Sequence, residues 1–252
     1  MKRRTFMLLI MAIQFASTGC IKTATSPGSA SLTIVNAVNL SNPLVTNFTP
    51  VNEKNGSRIP LEYYSIANQI GYASSYEWGS YINYTSISLS QIEDTFANIW
   101  SGTLVLPVGS IHTLFLAGDT TKVDSLFSTD VIPYIAPGDS STGVRFVNLA
   151  QNASSVLVTI QADTTHSPIA NNISYKTITP FQQLPADVNA LTNGYTFEFR
   201  DEATDSILTT VSLYNYSYPA QLLPFKCETV ILIGQAGTSV QVPLSGMIYP
   251  NY

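Results

Sequence analysis

Ser31-Leu-Thr-Ile-Val-Asn-Ala-Val38 and Gly143-Val-Arg-Phe-Val-Asn-Leu-Ala150 place apolar residues in the same slots and share a Val-Asn pair, Val35-Asn36 and Val147-Asn148. At the same spacing, Leu44-Val-Thr-Asn-Phe48 matches Val156-Leu-Val-Thr-Ile160. Two further blocks follow in the same order. Ile82-Asn-Tyr-Thr-Ser-Ile87 aligns with Ile173-Ser-Tyr-Lys-Thr-Ile178, and His112-Thr-Leu-Phe-Leu-Ala-Gly118 with Glu228-Thr-Val-Ile-Leu-Ile-Gly234. Blocks that keep their order while the spacing drifts by loop lengths mark a duplicated unit of about 110 residues. Each unit is a series of short strands broken by turn residues, the pattern of a β-sandwich. In the second copy the strands read as 143–150, 155–161, 172–178, 195–200, 206–213, 227–233 and 239–249, divided by Gln151-Asn152, Pro180, Pro185, Asn193-Gly194 and Pro224. Phe197 and Phe199 alternate with Glu198 and Arg200, which reads as a strand with one wet face. The expected fold is all-β: two tandem immunoglobulin-like antiparallel β-sandwiches, 31–140 and 141–252.

Composition supports strands over helices. Of 252 residues only 11% are charged, 45% are hydrophobic, and Ser, Thr and Asn together number 72. The 14 Tyr and 11 Phe add ring-bearing side chains that suit a pleated surface. One stretch conflicts with this. Ser90-Gln-Ile-Glu93 is a capping box, and Ile92, Phe96, Ile99 and Trp100 recur at helical spacing. The repeat aligns Thr95-Phe96 with Thr196-Phe197, so the expectation is a strand over 95–106 with a turn at Ser90–Asp94. Residues 52–78 have no counterpart in the second copy and read as an inserted loop, where function commonly sits.

The first nineteen residues read as a signal peptide. Lys2, Arg3 and Arg4 precede an apolar run from Phe6 to Ile13, too short to span a bilayer. Ser17-Thr-Gly-Cys20 then resembles a bacterial lipobox, in which Cys20 is acylated and becomes the new N-terminus. Two or more acyl chains would give stable attachment where one is marginal. Residues 20–30 read as a short tether. Processing would remove three cations and take the net charge from -5 to -8. Neither an Asp after Cys20 nor an acidic export run follows, so the expected address is the outer membrane, on either face. If Cys20 carries lipid, Cys227 is the remaining cysteine, beside the apolar run Val230–Ile233, and reads as a buried structural thiol.

With these strands in place, Val144-Arg-Phe-Val-Asn-Leu149, Gly79-Ser-Tyr-Ile-Asn-Tyr84, Thr113-Leu-Phe-Leu-Ala-Gly-Asp-Thr-Thr-Lys122 and Asp130-Val-Ile-Pro133 resemble the 4397 domain-of-unknown-function family, in its lipoprotein subgroup. The resemblance covers about residues 31–250. It implies tandem β-sandwich modules of secreted bacterial proteins, and it assigns no catalytic or ligand residue.

Chemistry is sparse. The acidic balance argues against a nucleic-acid partner. The adjacent pairs Glu93-Asp94 and Asp201-Glu202 are poor candidates for glycoside hydrolysis, because neighbours on a strand point to opposite faces. Asp201, Glu202 and Asp205 read as a solvated hairpin tip, able at most to hold a weak calcium ion. His112 reads as an outward polar slot, matched by Glu228 in the second copy, and His166 as a loop residue. Asp119, Asp124, Asp163 and Asp205 begin Asp-Ser/Thr tripeptides that resemble an O-glycosylation signal of some anaerobic bacteria. No catalytic residue, metal site or cofactor is expected. The ligand candidates are aromatic: Tyr63, Tyr64, Tyr72, Tyr76, Trp78, Tyr81 and Tyr84, with Tyr214, Tyr216 and Tyr218 as a second group. Rings with polar handles stack on sugars and anchor protein partners, and they also fill sandwich cores. The expected function is a lipid-anchored, non-catalytic binding or adhesion module for a glycan or an envelope protein. A structural subunit of an envelope or pilus-like assembly is the alternative.

Overall fold

The structure, a computed structural model, describes residues 28–39, 42–50, 69–80, 84–119, 121–186, 194–213, 224–237 and 242–251. The chain is all-β. Its first seven strands are β1 (Ala30–Asn39), β2 (Leu44–Pro50), β3 (Ser74–Ser80), β4 (Tyr84–Gln91), β5 (Asp94–Val105), β6 (Ile111–Asp119) and β7 (Val123–Thr129). They form two sheets, ordered β3-β1-β6-β7 and β2-β4-β5. The remaining strands are β8 (Ser141–Asn148), β9 (Val156–Ile160), β10 (Ala170–Ile173), β11 (Thr177–Ile178), β12 (Gln182–Pro185), β13 (Tyr195–Asp201), β14 (Ile207–Leu213), β15 (Cys227–Ile233) and β16 (Ser245–Pro250). These form β10-β9-β13-β14 and β11-β8-β15-β16, with β12 continuing the β11 edge along β8. The segment expected as a strand over 95–106 is β5, and the turn before it is Ile92-Glu93.

Two pairings depart from the antiparallel expectation. β1 lies parallel to β6, and β8 parallel to β15. A parallel neighbour needs a long crossover, and here the crossover is the other sheet of the sandwich with its connections.

Register equates the two units residue by residue and corrects two of the expected alignments. Ser31 opposes Ile111 and Gly143 opposes Cys227, so the His112 and Glu228 blocks are equivalent as expected. However, β4 pairs with β2 as β13 pairs with β9, which places Ser86-Ile87, not Thr95-Phe96, opposite the role of Thr196-Phe197. The counterpart of Ile173–Ile178 is Ile70–Ser75, not Ile82–Ile87. Ile70 bridges Leu44 as Ile173 bridges Val156, and Ser74 faces Asn36 as Thr177 faces Asn148. β3 therefore belongs to the repeat, and the expected insertion of 52–78 does not extend through it.

The Val-Asn pair is the hinge of this equivalence. Asn36 donates to the Ile70 carbonyl and accepts from the Val38 N–H, while Asn148 donates to the Ile173 carbonyl and accepts from the Ala150 N–H. Both side chains are fully buried. In each unit the backbone carbonyl of the same Asn receives a residue in left-handed conformation, Ala73 (φ 54°) or Lys176 (φ 59°). One amide thus pins the crossing chain to the first strand, which is why the pair recurs.

Three cores result. Leu32, Ile34, Leu114 and Leu116 pack against Leu44, Ile87, Leu89 and Leu104 inside the first sandwich. Val144, Phe146, Val230 and Leu232 pack against Val156, Val158, Phe197 and Phe199 inside the second. The third core lies between the sandwiches. Val35, Ala37, Phe115 and Ala117 meet Val147, Leu149, Ile231, Ile233, Met247 and Tyr249. The β3-β1-β6-β7 sheet and the β11-β8-β15-β16 sheet are thus buried on both faces, and the four sheets stack as one body.

Candidate functional site

The described members of the aromatic candidate group divide between two cores. Tyr76 and Trp78 lie on the same face of edge strand β3, half-buried against the first core, with ring centroids 4.5 Å apart. Phe48 meets Trp78 edge-on at 5.4 Å. Tyr72 points the other way, into the core between the sandwiches. Its hydroxyl is buried near Ser245, and burial pushes its pKa up. The group therefore does not converge on one surface. Cys20, Tyr63, Tyr64, Tyr81 and the group Tyr214, Tyr216 and Tyr218 lie outside the described residues, as does the side chain of Tyr84.

Tyr72 has a counterpart, Tyr175, and together they show how the halves are matched. Tyr175 crosses to the first sandwich and donates to Asp124 at 3.1 Å, and desolvation with the nearby Asp124 charge pushes its pKa up. Tyr72 crosses to Ser245, which stands in β16 where Asp124 stands in β7. Each unit thus lends the equivalent tyrosine to the equivalent position of the other, as in an isologous dimer.

At the opposite end of this interface is a buried polar cluster. Arg145 donates two bonds to Asp130 (2.7 and 3.0 Å), one to Thr229 (2.8 Å) and one to Tyr249 (2.8 Å). Its guanidinium also lies over the Phe181 ring, 4.6 Å from the centroid. Asp130 accepts from Thr113 (2.5 Å) and Ser128 (2.8 Å) as well. Thr229 donates to Asn251, and Asn251 donates to Tyr249. This too is a duplicated motif: Thr113 bonds Asp130 as Thr229 bonds Asn251. Arg145, whose counterpart is Thr33, is the asymmetric addition that joins the two copies. Burial alone would lower the Arg145 pKa, but Asp130 and Tyr249 outweigh it, so the residue stays charged. The motifs Asp130–Pro133 and Val144–Leu149 hold the two ends of this lock.

The remaining titratable candidates are held by other bonds. His112 is buried, not outward: it bonds Ser110 and Thr129 and stacks on Phe127 at 5.0 Å, closing one end of the first core. Glu198 is buried as well, so the face expected to be wet is sealed. Arg200 bridges Glu198 and Asp205, both at 2.8 Å. At the hairpin tip Asp201 caps Ala203 and Thr204 and accepts from Ser154, while Glu202 accepts from the Asn172 N–H. The three acids face separate partners rather than one cation, and no cluster of metal-ligating side chains occurs among the described residues. Cys227 is buried, and desolvation raises its thiol pKa. Glu228, the counterpart of His112, is half-buried at the end of the second core, and desolvation pushes its carboxyl up to about 7. That group carried no sequence signal beyond its place in the repeat.

No family model matches the chain, and no curated protein matches it. Among solved structures it is similar to a family 26 carbohydrate-binding module of Eubacterium rectale Amy13K, crystallised with maltoheptaose, at 10% identity, 88% of this chain, 97% of that chain and a TM-score of 0.24. It is also similar to a candidate cell adhesion protein from Bacteroides eggerthii, at 8% identity, 89% of this chain, 96% of that chain and a TM-score of 0.24. Neither likeness says what this chain binds.

Proposed function

We propose that this chain is a non-catalytic binding or adhesion module of a bacterial cell envelope, acylated at Cys20, carried on the outer membrane, and a member of the 4397 domain-of-unknown-function family. The supporting observation is the disposition of its polar and aromatic side chains. His112, Asp130, Arg145 and Glu198 are committed to internal bonds. The half-buried pair Tyr76 and Trp78 sits on β3, which ends its sheet among the described residues. Aromatic rings with polar handles in such a place suit the face of a sugar or a protein anchor. The test is a glycan array with the processed chain and its Tyr76→Ala variant, alongside crosslinking mass spectrometry on intact cells. A sugar signal lost in the variant, with unchanged melting temperature, supports glycan binding at β3. An unchanged sugar signal removes that site. Silence on glycans with a reproducible protein crosslink moves the assignment to an assembly subunit.

A further inference from the structure

The strands define two ends of the molecule. β1, β6, β8 and β15 start at one end, where β5, β7, β14 and β16 finish. The halves are joined end to matching end, since Asp130 and Thr113 meet Arg145 and Tyr249 there. The N-terminal chain enters at this end: the Ser29 carbonyl accepts from Gly109 in the turn before β6.

Seven large apolar side chains stand exposed among the described residues, and six of them lie at this end. Val105 ends β5, Val108 is in the following turn, and Phe127 is near the end of β7. Val131 (82% exposed) and Tyr134 (80%) lie on the connection from β7 to β8, and Phe225 precedes β15. The seventh, Ile207, is at the far end, at the start of β14. That connection is fixed in place: Asp130 is bonded to Ile111, and Ile135 is buried. Acidic side chains are found at both ends among the described residues. Glu93, Asp94, Asp119, Asp201, Glu202 and Asp205 all lie at the far end. At the near end Lys226 stands exposed beside Phe225, Asp139 stands exposed on the β7–β8 connection, and burial raises the Glu228 carboxyl to about 7.

We infer that the near end is a second membrane contact: Val108, Val131, Tyr134 and Phe225 rest in the headgroup region of the bilayer, and the opposite end faces outward. This rests on the proposed acylation of Cys20. Gly28 is eight Cα–Cα steps from Cys20, a reach of at most about 28 Å. The tether therefore keeps the near end within that reach of the lipid, and the exposed apolar side chains of this end are the ones brought closest to it. Apolar side chains flanked by a cation bind such a surface through buried area and attraction to anionic lipid. The tether then orients the body as well as retaining it.

The experiment uses the full acylated chain in vesicles of phosphatidylethanolamine and phosphatidylglycerol. An environment-sensitive fluorophore is placed at Tyr134→Cys or at Ile207→Cys, with Cys227 buried and unlabelled. Quenching by headgroup-proximal doxyl lipids should be at least about twofold stronger at 134 than at 207, with a blue shift only at 134. Hydrogen exchange on the unsubstituted chain should show protection on vesicles over 105–110, 128–136 and 224–226. If the chain sediments with vesicles but both probes stay equally wet and no protection appears, the contact is refuted and the anchor stands. If mass spectrometry finds Cys20 unmodified and the chain stays in the supernatant, the anchor falls and this contact falls with it.

Discussion

Replacing Arg145 with Met tests whether the two sandwiches fold as one unit. Arg145 makes four hydrogen bonds and one cation–π contact with its side chain almost fully enclosed. On its removal Tyr249 keeps Thr113 and Asn251, and Thr229 keeps Asn251. The loss therefore concentrates on Asp130, a buried carboxylate left with two hydroxyl donors. Breaking a buried pair from one side costs about 3–5 kcal/mol. With a urea dependence of about 3 kcal/mol per molar, the midpoint should fall by about 1–1.7 M. The chain's two tryptophans, Trp78 and Trp100, both pack on the first core, whereas Arg145 lies in the second sandwich. If the third core makes one cooperative unit, tryptophan emission and circular dichroism will shift together. In the Asp130→Asn/Arg145→Met double variant most of the loss should be recovered, since no unpaired charge is then buried. A loss under about 1 kcal/mol, or a tryptophan midpoint that stays put while the dichroism moves, would refute the reasoning.

Three further outcomes are expected. Glu228 has a folded-state pKa of about 7 against 4.5 for the free group, so the native state holds its proton more tightly and stability declines as pH rises through that window. Glu228→Gln should remove that decline, gaining about 2 kcal/mol at pH 8 after allowance for partial exposure and nothing at pH 4, as read by thermal melts at the two pH values. Asn36→Ala and Asn148→Ala should each cost about 1–3 kcal/mol in urea titrations, because each leaves a buried N–H, of Val38 or Ala150, without the side-chain oxygen it donates to. Gly246→Ala would place a Cβ 1.9 Å from Val211 Cγ2, so a melt should show a loss of about 1–3 kcal/mol, partly rescued by Val211→Ala.

The strands were legible because their period is local. Turn residues and apolar slots placed β8, β9, β13, β14 and β15 within two residues of their observed bounds. β12 was missed, since Gln182–Pro185 is short and carries two glutamines and a proline. One of the two misalignments has a plain cause. Ile82–Ile87 and Ile173–Ile178 have the same apolar spacing, and spacing cannot say which strand is the neighbour. That choice is made by Asn36 and Asn148 through carbonyls 34 and 25 residues away. The burial of His112 and Glu198 was hidden for a similar reason. Alternation reports two faces and not what covers them.

One signal for the third core was nevertheless present. Leu114-Phe-Leu-Ala117 and Val230-Ile-Leu-Ile233 are unbroken apolar runs, and strands that read this way are buried on both faces. A lone two-sheet sandwich has only one buried face per sheet, so each run already required a cover outside its own unit. The structure supplies it from the other copy, through matched tyrosines, matched Thr–Asx pairs and facing aliphatic rows. The duplication is thus a folding requirement: a single unit would expose Val35, Phe115 and Ala117, or Val147, Ile231 and Tyr249, to water. Joining the copies at matching ends also places the N-terminal entry and six of the seven exposed large apolar side chains together. The polarity used above to orient the molecule on a membrane therefore follows from the same pseudo-symmetric pairing that buries its third core.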